Sequence, residues 1–163
     1  MKRLWILRHA KSSWDQPGIA DHDRPLAPRG RKAARRIARW ADANDVRPEL
    51  VLCSTALRAR STLDLIRAGI GDPAERVARG LYHASADDVL ELVAWTPDDV
   101  ERVMLIGHNP TLHELAGVLA PPGPEAFPTG ALATVRLEID SWESIAPGCG
   151  RIEAFVVPRS LPD

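Results

Sequence analysis

Arg8-His9 and His108 are the residues of this chain best suited to chemistry, and each stands at the end of a short apolar run, Leu4-Trp5-Ile6-Leu7 in one case and Val103-Met104-Leu105-Ile106-Gly107 in the other. A third run, Leu50-Val51-Leu52-Cys53, leads into Ser54-Thr55-Ala56-Leu57-Arg58. Guanidinium groups bind phosphoryl oxygens bidentately, and an imidazole can attack phosphorus or carry a proton. Two arginines and two histidines at three such points therefore suit phosphoryl transfer. Taken singly, each has a plain structural explanation, since a histidine after a strand is usually a hydrogen-bonded surface residue and a helical arginine is usually solvated.

The elements that must position these residues follow from periodicity. Short apolar runs ending in polar residues read as buried strands of a parallel sheet, and ligands of such sheets bind beyond the carboxyl ends of the strands. Strand one is expected from Arg3 to Arg8. A polar loop then passes through Asp21-His22-Asp23-Arg24-Pro25 to a helix with apolar positions Ala33, Ala34, Ile37, Trp40 and Ala41. Ser54 is a candidate N-cap for a second helix running to about Ala68, with Arg58 in its first turn, where helix amides favour anions. A weak extended stretch around Arg76 to Arg79 precedes a helix from Ala86 to Trp95. Asn109 reads as N-cap and Pro110 as first residue of a fourth helix with Leu112, Leu115, Ala116 and Leu119 buried. After a Pro- and Gly-rich loop from Ala120 to Gly130, the segments Ala131 to Ile139 and Arg151 to Val157 read as strands. The alternation predicts an α/β fold, a three-layer αβα sandwich with a mostly parallel, mixed central sheet.

Composition narrows the function. The 163 residues suit one domain spanning 1-163, and a net charge of -1 gives no case for nucleic acid or an anionic membrane, so any basic surface must be local. The first strand leaves no room for a signal sequence, and no apolar run reaches the roughly 18 residues of a membrane span, which makes a cytoplasmic location the expectation. Cys53 and Cys149 are expected as reduced thiols, Cys53 in the core. Cys53 and Arg58 are one residue too close for the Cys-x5-Arg loop of cysteine phosphatases. Asp21-His22-Asp23 lacks the companions of a metal site, and neither phosphate-binding glycine pattern for nucleotides occurs, so no metal and no cofactor are expected. The five tryptophans are expected in the core or on pocket walls, with Trp14, in the loop after His9, the one that could touch substrate.

Three segments, Leu7-Arg8-His9-Ala10-Lys11-Ser12, Ser54-Thr55-Ala56-Leu57-Arg58-Ala59-Arg60-Ser61-Thr62 and Gly107-His108-Asn109-Pro110, resemble the motifs of the histidine phosphatase superfamily in family order. The size, Asp23-Arg24-Pro25-Leu26 and Phe127-Pro128-Thr129-Gly130-Ala131 resemble the compact SixA-type phosphohistidine phosphatases. The resemblance implies a phosphoglycerate mutase-like fold, His9 as a nucleophile that becomes phosphorylated, Arg8 and Arg58 as phosphate ligands, His108 as the second pocket histidine, and Arg24 as a further phosphate contact. Asn109, beside His108, is a candidate substrate contact. Ala10 stands where the family has glycine. Many family members acting on esters carry a glutamate proton donor in mid-chain, where this chain reads Leu81-Tyr82-His83-Ala84-Ser85, with His83 or Asp87 as substitutes. An alkoxide needs a proton to leave, while the imidazole of phosphohistidine leaves with little acid help. The expected substrate is therefore a phosphohistidine-bearing protein. A small phosphorylated metabolite is the alternative, and a mutase and a noncatalytic phosphate-binding module are the remaining readings; oligomeric state is not legible.

Overall fold

The computed structural model describes residues 1–163. Six strands form one sheet: β1 (Lys2–Arg8), β2 (Leu50–Ser54), β3 (Ala74–Ala78), β4 (Arg102–Gly107), β5 (Leu132–Leu137) and β6 (Gly150–Val156), in the order β3-β2-β4-β1-β5-β6. Strands β1 to β4 run parallel, whereas β5 is antiparallel to β1 and to β6. The helices are α1 (Pro28–Ala43), α2 (Leu57–Ile66), α3 (Ala86–Ala94) and α4 (Thr111–Leu119). This is the expected mixed three-layer sandwich.

The central strands are apolar on both faces because each face meets helices. Leu4, Ile6, Leu50, Leu52, Val103 and Leu105 pack with Val89 and Val93 of α3 and Leu112 and Leu115 of α4. The alternate residues Trp5, Leu7, Val51, Cys53, Met104 and Ile106 pack with Ala34 and Ile37 of α1 and Leu63 and Ile66 of α2. A register with Leu7 and Cys53 both opposite Ile106 brings the carboxyl ends of β1, β2 and β4 to one edge. Arg8-His9, Ser54 and His108 emerge there together.

Several expected boundaries differ. Ser54 closes β2 rather than capping α2: Ala56 precedes the helix without a side-chain cap, and the Ser54 hydroxyl accepts from the Ala56 N–H. Helix α2 passes into a 3-10 turn at Arg67–Ile70, and β3 begins two residues before the expected stretch. Helix α4 begins at Thr111. The Asn109 carboxamide accepts from the His113 N–H in the first turn, as a capping residue does although it stands one residue before Pro110, and it also donates to the Phe127 carbonyl, tying the helix to the following loop. Asp88 completes a capping box with Ser85 at the start of α3. Trp5 and Trp142 are core, and Trp95, 78% exposed, lines an open concavity beside Tyr82 and His83.

The loop after His9 is anchored to α1 through its main chain. Ser13 N–H donates to the Pro25 carbonyl and Ala27 N–H to the Lys11 carbonyl, a short antiparallel bridge that closes residues 14–24 into an excursion over the sheet edge. Gly30 permits the approach, since a Cβ there would lie 2.0 Å from the Lys11 carbonyl oxygen. Gly30→Ala is expected to cost about 1–3 kcal/mol by overpacking and to displace the loop carrying Asp21 and Arg24. Urea denaturation together with activity reads both effects; unchanged values would mean that the loop is not held by this contact.

Candidate active site

His9 is fixed by its backbone before its side chain is considered. Its N–H donates to the Gly107 carbonyl of β4 at 3.0 Å, and its carbonyl accepts from Gly130 N–H, also at 3.0 Å. Gly130 makes this contact at φ 77, a left-handed conformation suited to glycine. The ring Nδ1 lies 2.7 Å from the Ala10 carbonyl oxygen. A carbonyl only accepts, so Nδ1 carries the hydrogen and a neutral ring presents Nε2 as a bare lone pair. Burial, reinforced by Arg58, Arg8 and Arg24 and opposed by the Ala10 contact, lowers the His9 pKa to about 4. At neutral pH the imidazole is therefore uncharged, with a lone pair rather than a positive charge at Nε2.

His108 faces it, with ring centroids 5.1 Å apart. Its Nε2 is 2.7 Å from the Ser54 hydroxyl, and burial, with His9 and Arg58 nearby, lowers its pKa to about 3. When Ser54 donates its hydrogen to Nε2, Nδ1 holds the ring hydrogen. His108 Nδ1 is buried without a protein partner, as is Arg8 Nε. An unsatisfied buried donor costs about 1–3 kcal/mol, a cost that the oxygens of a bound anion would offset. Both residues line one cleft with His9, Arg24, Arg58 and Asn109, about 280 Å³ in volume, so the structure gathers all six expected site residues.

The arginines are held in different ways. Arg8 donates to the Phe127 carbonyl at 3.0 Å, and burial, with Arg58 close by, lowers its pKa. Arg24 donates to the Ser13 carbonyl, to Ser12 Oγ and to Asp21 Oδ1, and its guanidinium carbon lies 3.2 Å from the Trp14 ring centroid. Trp14 is thus a cleft wall that holds an arginine by cation–π contact. Arg58 uses both terminal nitrogens on Asp21, donating to its carbonyl at 2.8 Å and its carboxylate at 3.0 Å. Thr62 on α2 accepts from Ala10 N–H and donates to the Arg58 carbonyl, joining the His9 loop to the helix that carries Arg58.

Asp21 and Tyr82 were not among the expected site residues. The Tyr82 hydroxyl donates to Asp21 Oδ2 at 2.7 Å, and this bond, with those from Arg24 and Arg58, holds the Asp21 carboxyl well below the usual carboxylate range. The spacing of Asp21 and Arg24, three residues apart, was the available sequence signal. Tyr82 carried none, because only the fold brings it across 61 positions. Of the suggested proton donors, His83 packs on Tyr82 in the adjoining concavity, near enough to His108 to help lower its pKa, and Asp87 is exposed on α3. His22 bonds Thr55, no three His, Cys, Asp or Glu side chains gather as a metal-binding group, and burial pushes the Cys53 thiol up to about 12.

Comparison with known proteins agrees with the geometry. The sequence pattern of the histidine phosphatase superfamily (branch 1) matches residues 4–79. The phosphohistidine phosphatase SixA of Escherichia coli K12 is 31% identical over 140 residues, covering 83% of this chain and 86% of that protein. The chain belongs to the histidine phosphatase superfamily. An uncharacterised Mycobacterium tuberculosis protein is 42% identical over 94% of this chain and its own whole length. The structure of the protein histidine phosphatase SixA complexed with tungstate superposes with a TM-score of 0.82 at 30% identity, covering 97% and 98% of the two chains. A mycobacterial glucosyl-3-phosphoglycerate phosphatase, at 18% identity and a TM-score of 0.66, shares the fold. The chain is a metal-independent histidine phosphatase of SixA type with the phosphoglycerate mutase-like fold.

Two outcomes test this geometry. Folded-state pKa values of about 4 and 3, below the ordinary 6.5, mean that the unfolded chain binds protons at His9 and His108 that the folded chain does not. The stability they contribute is complete above about pH 6.5 and is lost as pH falls through the folded values. NMR titration should show both rings neutral from pH 8 to pH 5; a midpoint near 6.5 for either would refute its depressed pKa. Asp21→Ala should cost about 1–3 kcal/mol in urea denaturation, because it leaves the buried arginines short of their acceptor. A loss below about 0.5 kcal/mol, the range of an ordinary surface substitution, would mean that solvent replaces the carboxylate.

Proposed function

We infer that this histidine phosphatase dephosphorylates phosphohistidine in a protein, through a covalent intermediate on His9. The observation that carries the reading is the state of Asp21, the carboxylate bound to both Arg24 and Arg58. It is held ionised by its three donors, so it has no proton to give a leaving alkoxide. Phosphohistidine does not require one at the departing atom. Its ring, protonated on the nitrogen remote from phosphorus, leaves as neutral imidazole when the P–N bond breaks.

In the first step His9 Nε2 forms a bond to phosphorus as the substrate P–N bond breaks. Arg8, Arg58 and Arg24 surround the oxygens on which charge accumulates, with the buried donors of Arg8 and His108 supplying hydrogen bonds. Asn109 lines the same cleft as a further substrate contact. Water then attacks the phosphorylated His9, releasing inorganic phosphate and the free imidazole. The Nδ1–H contact to Ala10 keeps the reacting nitrogen aimed through both steps. Related SixA proteins named for phosphohistidine support the substrate class.

The test compares a phosphohistidine peptide, a phosphoserine peptide and a small phosphate ester in the presence of chelator, with His9→Ala as blank. Expected is a kcat/KM for phosphohistidine at least about 100-fold above either ester, on the scale of the acid assistance an alkoxide requires, with turnover abolished in His9→Ala. Preference for an ester would overturn the substrate assignment, and substantial turnover by His9→Ala would remove His9 as nucleophile.

A further inference from the structure

A second concavity adjoins the catalytic cleft and shares the walls Lys11 and Thr129 with it. It is an open groove of about 380 Å³ lined by Lys11, Arg29, Lys32, Arg36 and Arg159, over a floor that includes Ala33 and Pro158. Arg29, Lys32 and Arg36 recur on one stripe of α1, and Arg159 rises from the 3-10 turn Pro158–Ser160 on the facing wall. Five cations in one groove are unexpected on a chain whose net charge is -1. Lys11, Arg29, Lys32 and Arg159 are exposed, so folding does not require them here.

The groove already holds a carboxylate. Asp163 pairs with Arg36, and its Oδ1 is 3.5 Å from Lys32 Nζ. Arg36 Nε remains buried without a partner, while Arg29, Arg159 and Lys11 have no acidic partner within ion-pair distance. Along α1 the row from Arg29 to Arg36 spans about 10 Å at the helical rise. Cations spread over that length match several carboxylates on a segment better than a single second phosphate.

We propose that the Arg29-Lys32-Arg36-Arg159 groove is a docking site for an acidic segment of the phosphoprotein substrate, seating Asp and Glu side chains beside the residue whose phosphoryl group enters the His9 cleft. The proposal rests on the phosphohistidine-protein reading for the identity of its partner. Lys11, on the wall common to both concavities, links the two anionic parts of one ligand. Complementary charge would favour capture of acidic carriers, and this preference would weaken with salt.

The test uses the full chain and the double variant Arg29→Glu/Lys32→Glu, with Arg159→Glu as a second variant on the opposite wall. None of these residues lines the catalytic cleft, and acidic groups near the start of α1 suit the helix dipole. Substrates are two phosphohistidine peptides differing only in acidic or neutral flanks. Expected for the unmodified protein is a KM about tenfold lower for the acidic peptide, a preference that both variants and 0.5 M salt remove while kcat stays unchanged. An equal KM for the two peptides, or an equal rise for both in the variants, would overturn the proposal. So would a KM effect confined to a small bisphosphorylated ester.

Should neither peptide be turned over, the substrate reading fails, and the groove is judged by binding alone. A fluorescently labelled, unphosphorylated Glu-rich decapeptide should bind the unmodified protein and be lost from the double variant. Binding that is absent, or equal to that of a neutral decapeptide, overturns the groove independently of the chemistry.

Discussion

Like charge at one sheet edge is the constraint on which this active site depends. Arg8, Arg24 and Arg58 converge with two imidazoles, and Arg24 and Arg58 are each more than nine-tenths buried. Guanidinium groups cannot shed their charge, so such a cluster needs an anion or must spread into solvent. Asp21 is the anion the chain itself supplies, bound to both Arg24 and Arg58 and further engaged by Tyr82. The imidazoles respond in the other direction: burial and the arginines hold both neutral, which preserves a lone pair on His9. One field thus gathers groups suited to binding a phosphoryl group and keeps the proposed nucleophile unprotonated.

Main-chain bonds carry most of the positioning. His9 is held between Gly107 and Gly130, the loop bearing Asp21 and Arg24 is closed at its base by the Lys11–Ala27 and Ser13–Pro25 bonds, and Thr62 links Ala10 to the helix of Arg58. Bonds of this kind hold whatever the solvent-facing side chains do, which lets the cleft stay open without losing geometry. An open cleft is what a phosphoryl group mounted on another protein requires. The basic groove beside it supplies contact area that a small cleft lacks, and this is how the proposed acidic-segment docking relates to the proposed reaction.

Much of the fold was legible because burial on both faces leaves an unambiguous signature. The runs at Leu4, Leu50 and Val103 could be little other than interior parallel strands, and α1 and α4 showed their stripes at Ile37 and Leu115. Ser54 and Asn109 were harder. Their side chains can satisfy either a helix start or a distant partner, and local sequence does not distinguish the two. Ser54 turned to His108, and Asn109 served both, taking the His113 N–H and reaching Phe127. Trp95 shows another limit, since an apolar residue at the end of a helix can line an open concavity and stay mostly in solvent.

By itself the sequence determined the sandwich, the family and the gathering of Arg8, His9, Arg24, Arg58, His108 and Asn109, because strand ends and motif order depend on spacing along the chain. Tertiary structure alone decided the protonation states, the role of Asp21, the Tyr82 hydroxyl contact and the basic groove. These arise from burial and from contacts between residues remote in sequence, as when Tyr82 meets Asp21 and Arg159 faces α1. Periodicity reports which way a side chain faces on its own element; what charge and solvent it meets there is set by the elements packed opposite.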